Sequence, residues 1–118
     1  MVVFKNESEE SLNQLFRALA DGTRRDILER SLTEASSVSA LAARYQMSFA
    51  AVQKHVVVLE RAGLVAKRRR GREQLVSGSI DAVRDAQRLL DQLEAVWRHR
   101  LERFAEILAE PTEGATPR

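Results

Sequence analysis

The sequence contains no cysteine, which excludes disulfides, thiolate metal sites and cysteine nucleophiles. Aromatic residues make up only 5%, in keeping with a small aliphatic core packed by helices. Only two histidines occur, His55 and His99. There is no Ser/His/Asp constellation, no paired carboxylates that a pocket could use and no phosphate-cradling glycine loop, so enzymatic chemistry has no residue set to work with. Internal repeats and low-complexity blocks are also lacking. The opening Met1-Val2-Val3-Phe4-Lys5 is an apolar run far too short for a signal peptide or a membrane span. The expectation is a cytoplasmic protein with no membrane partner.

What is present is one domain's worth of chain, 118 residues with 44% hydrophobic and 31% charged content, the balance of a soluble globular protein. The net charge of +2 is unremarkable, but its distribution is uneven. Arg61, Lys67, Arg68, Arg69, Arg70 and Arg72 crowd into one segment with no acid among them. A local field of that kind, more than the total, decides which polyanion is attracted.

The stretch Ser48 to Arg61 carries the most informative pattern. Ser48 is a good N-cap, because its hydroxyl can accept from an otherwise orphaned backbone N–H. Met47 and Val52 have the spacing of a hydrophobic staple. Val52, Val56 and Leu59 recur at helical intervals and give a buried edge. The run Val56-Val57-Val58 favours strand, yet the capped entry and the exit at Gly63 frame a helix, and packing overrides propensity. Gln53, Lys54 and His55 fall near the polar, N-terminal side. A short helix presenting such residues just after another short helix has the shape of a DNA recognition helix. Glutamine can pair with adenine, and lysine can donate to guanine. An ordinary amphipathic core helix would give the same local pattern, so the neighbouring segments decide.

Upstream, residues from about Glu7 to Ala20 read as a first helix with Leu12, Leu15, Phe16 and Leu19 on one stripe, after a loose start. Asp21-Gly22-Thr23-Arg24-Arg25 marks a break and a restart. Asp21 can cap a second helix whose apolar face is Ile27, Leu28 and Leu32. Thr23 and an arginine could hold a DNA phosphate there, helped by the free N–H groups of the helix start; the alternative is that the arginines are solvated or paired with Asp21 and Asp26. Thr33 to Ser37 reads as a polar linker, and Ser36 or Ser37 can cap a third, short helix carrying Val38, Leu41, Ala42 and Tyr45. Arg44-Tyr45-Gln46-Met47 then turns the chain into the helix at Ser48, so two short helices are separated by a tight turn.

Downstream, Gly63 closes the helix. Leu64 to Arg69 changes period toward strand, Arg70-Gly71-Arg72 is a turn, and Glu73 to Ser77 is a return strand. Beside a helix-turn-helix, this hairpin with a cationic tip reads as a wing that lays Lys67, Arg69, Arg70 and Arg72 on the phosphate backbone or in the minor groove. A solvated basic loop is the plain alternative. From Asp81 to about Ala109 the pattern is helical again, with Val83, Ala86, Leu90, Leu93, Trp97, Leu101, Phe104 and Leu108 advancing by threes and fours. A continuous helix of that length would be roughly 40 Å long, more than a domain this small covers by itself. The stripe therefore predicts a homodimer packed through Leu90, Leu93, Trp97, Leu101 and Phe104, joined by Leu12, Leu15 and Phe16 of the first helix. Trp97 reads as a core or interface anchor rather than a ligand-stacking residue. The expected organisation is a mainly α winged helix-turn-helix domain with a small β-hairpin and dimerisation helices at both ends over residues 1–110, then a disordered tail over residues 111–118.

This order of elements resembles the ArsR family of bacterial winged-helix repressors over roughly residues 12–108. The residues that carry the resemblance are Leu19-Ala20-Asp21-Gly22-Thr23-Arg24-Arg25-Asp26-Ile27-Leu28, the run from Val52 to Val65 including Gln53-Lys54-His55 and Glu60-Arg61-Ala62-Gly63-Leu64-Val65, and Gly71-Arg72-Glu73. Leu90, Trp97 and Leu101 resemble a subgroup with a tryptophan followed four residues later by leucine in the last helix. The resemblance implies a homodimer on double-stranded DNA, bound to an imperfect palindrome. It implies repression, often of the protein's own operon, relieved by an effector. By position, Ser48, Ala50, Gln53, Lys54 and His55 would face DNA, Arg69, Arg70 and Arg72 would be wing contacts, and Thr23 and Arg24 would meet phosphate. The chain departs from the pattern at Gln53, where Ser or Thr is common, and at Phe49, where a polar residue is common; Phe49 either touches a thymine methyl or turns inward. Gln46 stands where glycine is frequent, which costs about 1 kcal/mol if that backbone is left-handed.

Many members sense metals, and this chain's residues argue against it. The thiolate pair of the soft-metal sensors would fall near Ser37-Val38-Ser39, and serine is a poor soft-metal ligand. His99 and Glu102 could share a helical face, but Ala86 and Arg88 stand where an upstream Asp and His would be expected, and an arginine repels a cation. No cofactor is expected. An unidentified small-molecule effector remains compatible with the sequence, as do two competing readings, a winged-helix module for protein contacts with only sequence-blind DNA affinity and a metal-responsive sensor with an unrecognised site.

Overall fold

A computed structural model describes residues 2–109, with side chains from Glu9 onward. The expected tail over 111–118 lies outside the described residues. In chain order the elements are α1 (Val2–Leu19), α2 (Gly22–Thr33), β1 (Ser36–Ser37), α3 (Val38–Tyr45), α4 (Phe49–Arg61), β2 (Val65–Arg70), β3 (Glu73–Gly78) and α5 (Ile80–Ala109). The chain divides into two compact units, Met1–Ala86 and Gln87–Arg118.

In the first unit, side-chain caps start the helices. Asp21 accepts from Thr23 N–H at 3.2 Å, Ser37 from Ala40 N–H at 3.0 Å and Ser48 from Ala51 N–H at 3.1 Å. Each satisfies a donor that has no partner within its helix. Two left-handed residues stop helices. Gly63 (φ 77°) follows α4. Gln46 (φ 55°, ψ 42°) follows α3, the strained conformation that the missing glycine at this turn implied. Gly71 (φ 63°) makes the hairpin turn.

Val52, Val56 and Leu59 of α4 are fully buried, against Ile27 of α2, Val38 and Leu41 of α3, Leu64 and Val76. Each such side chain contributes about 1.5–3 kcal/mol by leaving water, enough to hold the three valines 56–58 in a helix against their strand preference. Three expectations need correction. Leu15, assigned to the dimer interface, is only 3% exposed and belongs to this unit's own core with Ala18; Leu12 and Phe16 beside it are half-buried. The first helix begins at Val2 rather than near Glu7, since no glycine or proline precedes Glu7 to stop it. The polar linker also contains a strand. Ser36 pairs with Val76 and Ser37 with Leu75, giving a sheet in the order β1-β3-β2. Two serines carry no strand signature; the edge of β3 supplies their hydrogen-bond partners. This is a winged helix-turn-helix, with α3 and α4 as the paired helices and β2–β3 as the wing.

The second unit contributes the greater part of α5, all of it exposed beyond Leu89 among the described residues. Leu90, Leu93, Trp97, Leu101, Phe104 and Leu108 line one face, and Trp97 is 54% exposed with the Arg100 guanidinium 5.6 Å from its ring centroid. No helix among the described residues is long and apolar enough to cross a membrane.

Candidate nucleic-acid interface

At about 100° per residue, α4 has three kinds of surface. Val52, Val56 and Leu59 form the buried edge. Ser48, Ala50, Lys54 and Arg61 are exposed, and Ala50, Lys54 and Arg61 fall opposite that edge. Gln53 and His55 flank the buried edge, one on each side. Phe49 is 52% exposed, so it faces outward from the first turn rather than into the core.

The flanking residues are engaged within the protein. Gln53 borders a cleft of about 220 Å³ between the start of α3, α4 and the wing, also lined by Ser37, Ser39, Arg69, Arg72 and Gln74. The carboxamide oxygens of Gln53 and Gln74 are both buried without a hydrogen-bond partner. On the other flank, His55 Nδ1 lies 3.4 Å from the Asp21 carboxylate. His55 was expected to face DNA; it faces the start of α2 instead. Arg24 likewise departs from the expected phosphate contact. Its guanidinium donates to Ala18 O at 2.9 Å, Arg17 O at 2.8 Å and the Asp21 carboxylate at 3.4 Å, so it satisfies the carbonyls that end α1. Arg25 does the same for Leu19 O at 2.7 Å. Thr23 is half-buried in the first turn of α2.

The wing presents Arg68, Arg69, Arg70 and Arg72 exposed. Lys67, expected to contact DNA, is tied to Glu60 of α4 at 3.3 Å and braces the wing's base. The register separates the remaining charges. Lys67 is opposite Val76 and Arg69 opposite Gln74, on the face that Val65 buries; Arg68 opposite Leu75 and Arg70 opposite Glu73 take the other face. The basic segment therefore puts charge on both sides of the hairpin. Arg68 was not among the expected contacts, although strict alternation along the strand would have separated it from Arg69.

Behind α3, Tyr45 donates its hydroxyl to Asp26 of α2, and Arg30 Nε donates to Asp26 at 3.1 Å and to the Tyr45 oxygen at 3.1 Å. This ties the first helix of the pair to α2. The Tyr45 hydrogen bond, with the Arg30 bond second, holds the Asp26 carboxyl below its ordinary range. Burial, with the Asp26 bond second, pushes the Tyr45 hydroxyl up.

Ser37 Oγ already accepts the Ala40 N–H, and among the described residues no group of three or more His, Cys, Asp or Glu side chains comes together to hold an ion.

No family model matches the chain, and no curated protein matches it. Solved structures do. An ArsR-like transcriptional regulator from Rhodococcus sp. RHA1 is 31% identical, covering 86% of this chain and 94% of that one with a TM-score of 0.78. A second ArsR family transcriptional regulator is 30% identical, covering 76% and 93% with a TM-score of 0.72. A homodimeric winged helix-turn-helix DNA-binding domain from Mycobacterium bovis is 27% identical, covering 84% and 89% with a TM-score of 0.60.

Proposed function

This chain belongs to the ArsR family of winged helix-turn-helix transcriptional regulators, a DNA-binding family and not an enzymatic one, and on that footing we propose that it is a homodimeric repressor that reads an imperfect palindrome without sensing a metal. The observation that carries the reading is the exposed face of α4 beside a hairpin bearing four exposed arginines. Ser48, Phe49, Ala50 and Lys54 enter the major groove, with Phe49 against a thymine methyl. Arg69, Arg70 and Arg72 bind the flanking backbone, and Thr23 meets phosphate at the start of α2. Gln53 reads a base after turning out of its cleft; its carboxamide oxygen leaves no hydrogen bond behind.

The dimer rests on α5. Leu90, Leu93, Trp97, Leu101 and Phe104 form an apolar face with no cover in a single chain, of the kind a second copy buries. The M. bovis relative is a homodimer. Two copies related by a two-fold axis place their recognition helices in successive major grooves about 34–36 Å apart, the geometry that a palindrome requires.

The test is the affinity for a duplex from upstream of the protein's own gene beside a random duplex, at two salt concentrations. Specific repression predicts roughly thousandfold tighter binding to the first. Equal, steeply salt-sensitive binding to both would overturn the autoregulatory reading.

A further inference from the structure

One carboxylate collects polar contacts from two helices, α2 and α4, and reaches a third through Arg24. Asp21 Oδ1 accepts the Thr23 N–H at the start of α2. Its Oδ2 lies 3.4 Å from Arg24 Nη1 and 3.4 Å from His55 Nδ1. Arg24 carries the connection onward to the last carbonyls of α1, at Ala18 and Arg17. His55 carries it to α4, the helix whose exposed face bears Lys54 and Ala50.

Towards its other end α4 is tied to the wing by the Glu60–Lys67 pair at 3.3 Å, and its buried edge is apolar. Val52, Val56 and Leu59 set which face of α4 meets the core, while the hydrophobic attraction itself is non-directional. A polar pair on the flank of that buried edge specifies the rotation about the helix axis. A few degrees of rotation move every groove-facing side chain at once, and recognition geometry tolerates only about 0.5 Å of displacement.

We infer that Asp21 is a positioning residue for DNA recognition: by gripping His55 on one side and Arg24 on the other, its carboxylate sets the angle of α4 against α1 and α2, and none of the three touches DNA. This rests on α4 being the recognition helix. It replaces the direct contacts expected of Arg24 and His55.

The substitution that isolates the claim is Asp21→Asn. Asparagine caps a helix about as well as aspartate, so the start of α2 is kept while the charge facing His55 and Arg24 is lost. His55→Gln removes the other partner at similar size, and the double variant completes a cycle. Affinity for the upstream and random duplexes is measured across a salt series, with circular dichroism confirming the fold. Each single variant is expected to lose about tenfold on the preferred duplex. The random duplex and the salt slope stay unchanged, and the double variant is no worse than the weaker single. Additive losses, or a parallel loss on random DNA, would mean that His55 contacts DNA itself and would overturn the inference, as would wild-type affinity in Asp21→Asn.

Amide exchange in the free protein gives an answer independent of any duplex. Asp21→Asn is expected to speed exchange severalfold in α4 and the last turn of α1 while sparing the wing. Uniform or absent change refutes the positioning role. Should the wild type prefer no duplex while this exchange pattern appears, it is the operator reading that fails, and Asp21 still holds α4.

Discussion

Replacing Gln46 by glycine should make this protein more stable. Gln46 ends α3 with φ 55° and ψ 42°, and a residue with a Cβ pays roughly 1–2 kcal/mol for that left-handed conformation. The backbone bonds that define the turn, Gln46 N–H to Ala43 O at 3.3 Å and Met47 N–H to Ala42 O at 3.1 Å, need no side chain. The Gln46 side chain is exposed, so little packing is lost. Against the relief stands the greater freedom of glycine in the unfolded chain, about 0.5–1 kcal/mol. Taken mid-range against mid-range, the difference is a gain of about 0.7 kcal/mol, or a rise in Tm of roughly 2–5 °C for a domain of this size. Thermal and urea unfolding at one fixed chain concentration would measure it, because the stability of a dimer depends on concentration. Gln46→Ala is the control: it keeps the Cβ and the strain, so it should show no such gain. DNA affinity should not change, since the turn keeps its geometry. A glycine variant no more stable than the wild type, or an alanine variant equally stabilised, would refute the strain argument.

Four further outcomes are expected. Arg70→Ala should weaken binding to every sequence and flatten the dependence of log affinity on log salt by about one unit if one phosphate contact is lost; an unchanged slope would remove Arg70 from the interface. Gln53→Ala should cost about 1–3 kcal/mol on the operator and much less on random DNA, and equal losses would show that Gln53 does not read a base. Trp97→Glu should yield monomers in sedimentation and abolish operator binding, because it sets a charge in the face the second copy would cover; a normal dimer would place the interface elsewhere. The fourth concerns pH. The Asp26 carboxyl is held below its ordinary range by Tyr45 and then by Arg30. Its contribution is complete above the unfolded value, about pH 4, and disappears as pH falls through the folded value. The Tyr45 hydroxyl is raised; its contribution is complete below the unfolded value of about 10 and disappears as pH rises through the folded value. Asp26→Asn should therefore flatten the acid limb of a Tm-against-pH profile, and a limb parallel to the wild type would show that the cluster does not contribute.

The periodic elements were legible because their signals are local. Caps at Asp21, Ser37 and Ser48, apolar spacing in α4 and the glycines at 63 and 71 each act within a few residues, and the structure uses all of them. The strand at Ser36–Ser37 was not legible, because its only cause is a partner some 40 positions away. The same limit applied to the interface. Side-chain type marked Lys67, Arg24 and His55 as candidates for DNA; the pairing of Arg24 with Asp21, three residues away, was an alternative open in the sequence, but Glu60 and Asp21 meet Lys67 and His55 only after folding.

By itself, then, the sequence determined which segments are helices, where they start and stop apart from the beginning of α1, that a basic hairpin follows a helix-turn-helix, and that the last helix carries an apolar stripe. These follow from propensity, capping and periodicity, all short-range. Only the tertiary structure decided that Leu15 belongs to the core, that Phe49 points out, and that Gln53 turns into a cleft. It also decided which of the cations are free and which are bound to a carboxylate or a carbonyl. The reason is physical: a charged side chain can meet either water, DNA or a neighbour, and which one it meets depends on groups brought within about 3–4 Å by the fold, at distances along the chain that no local pattern records.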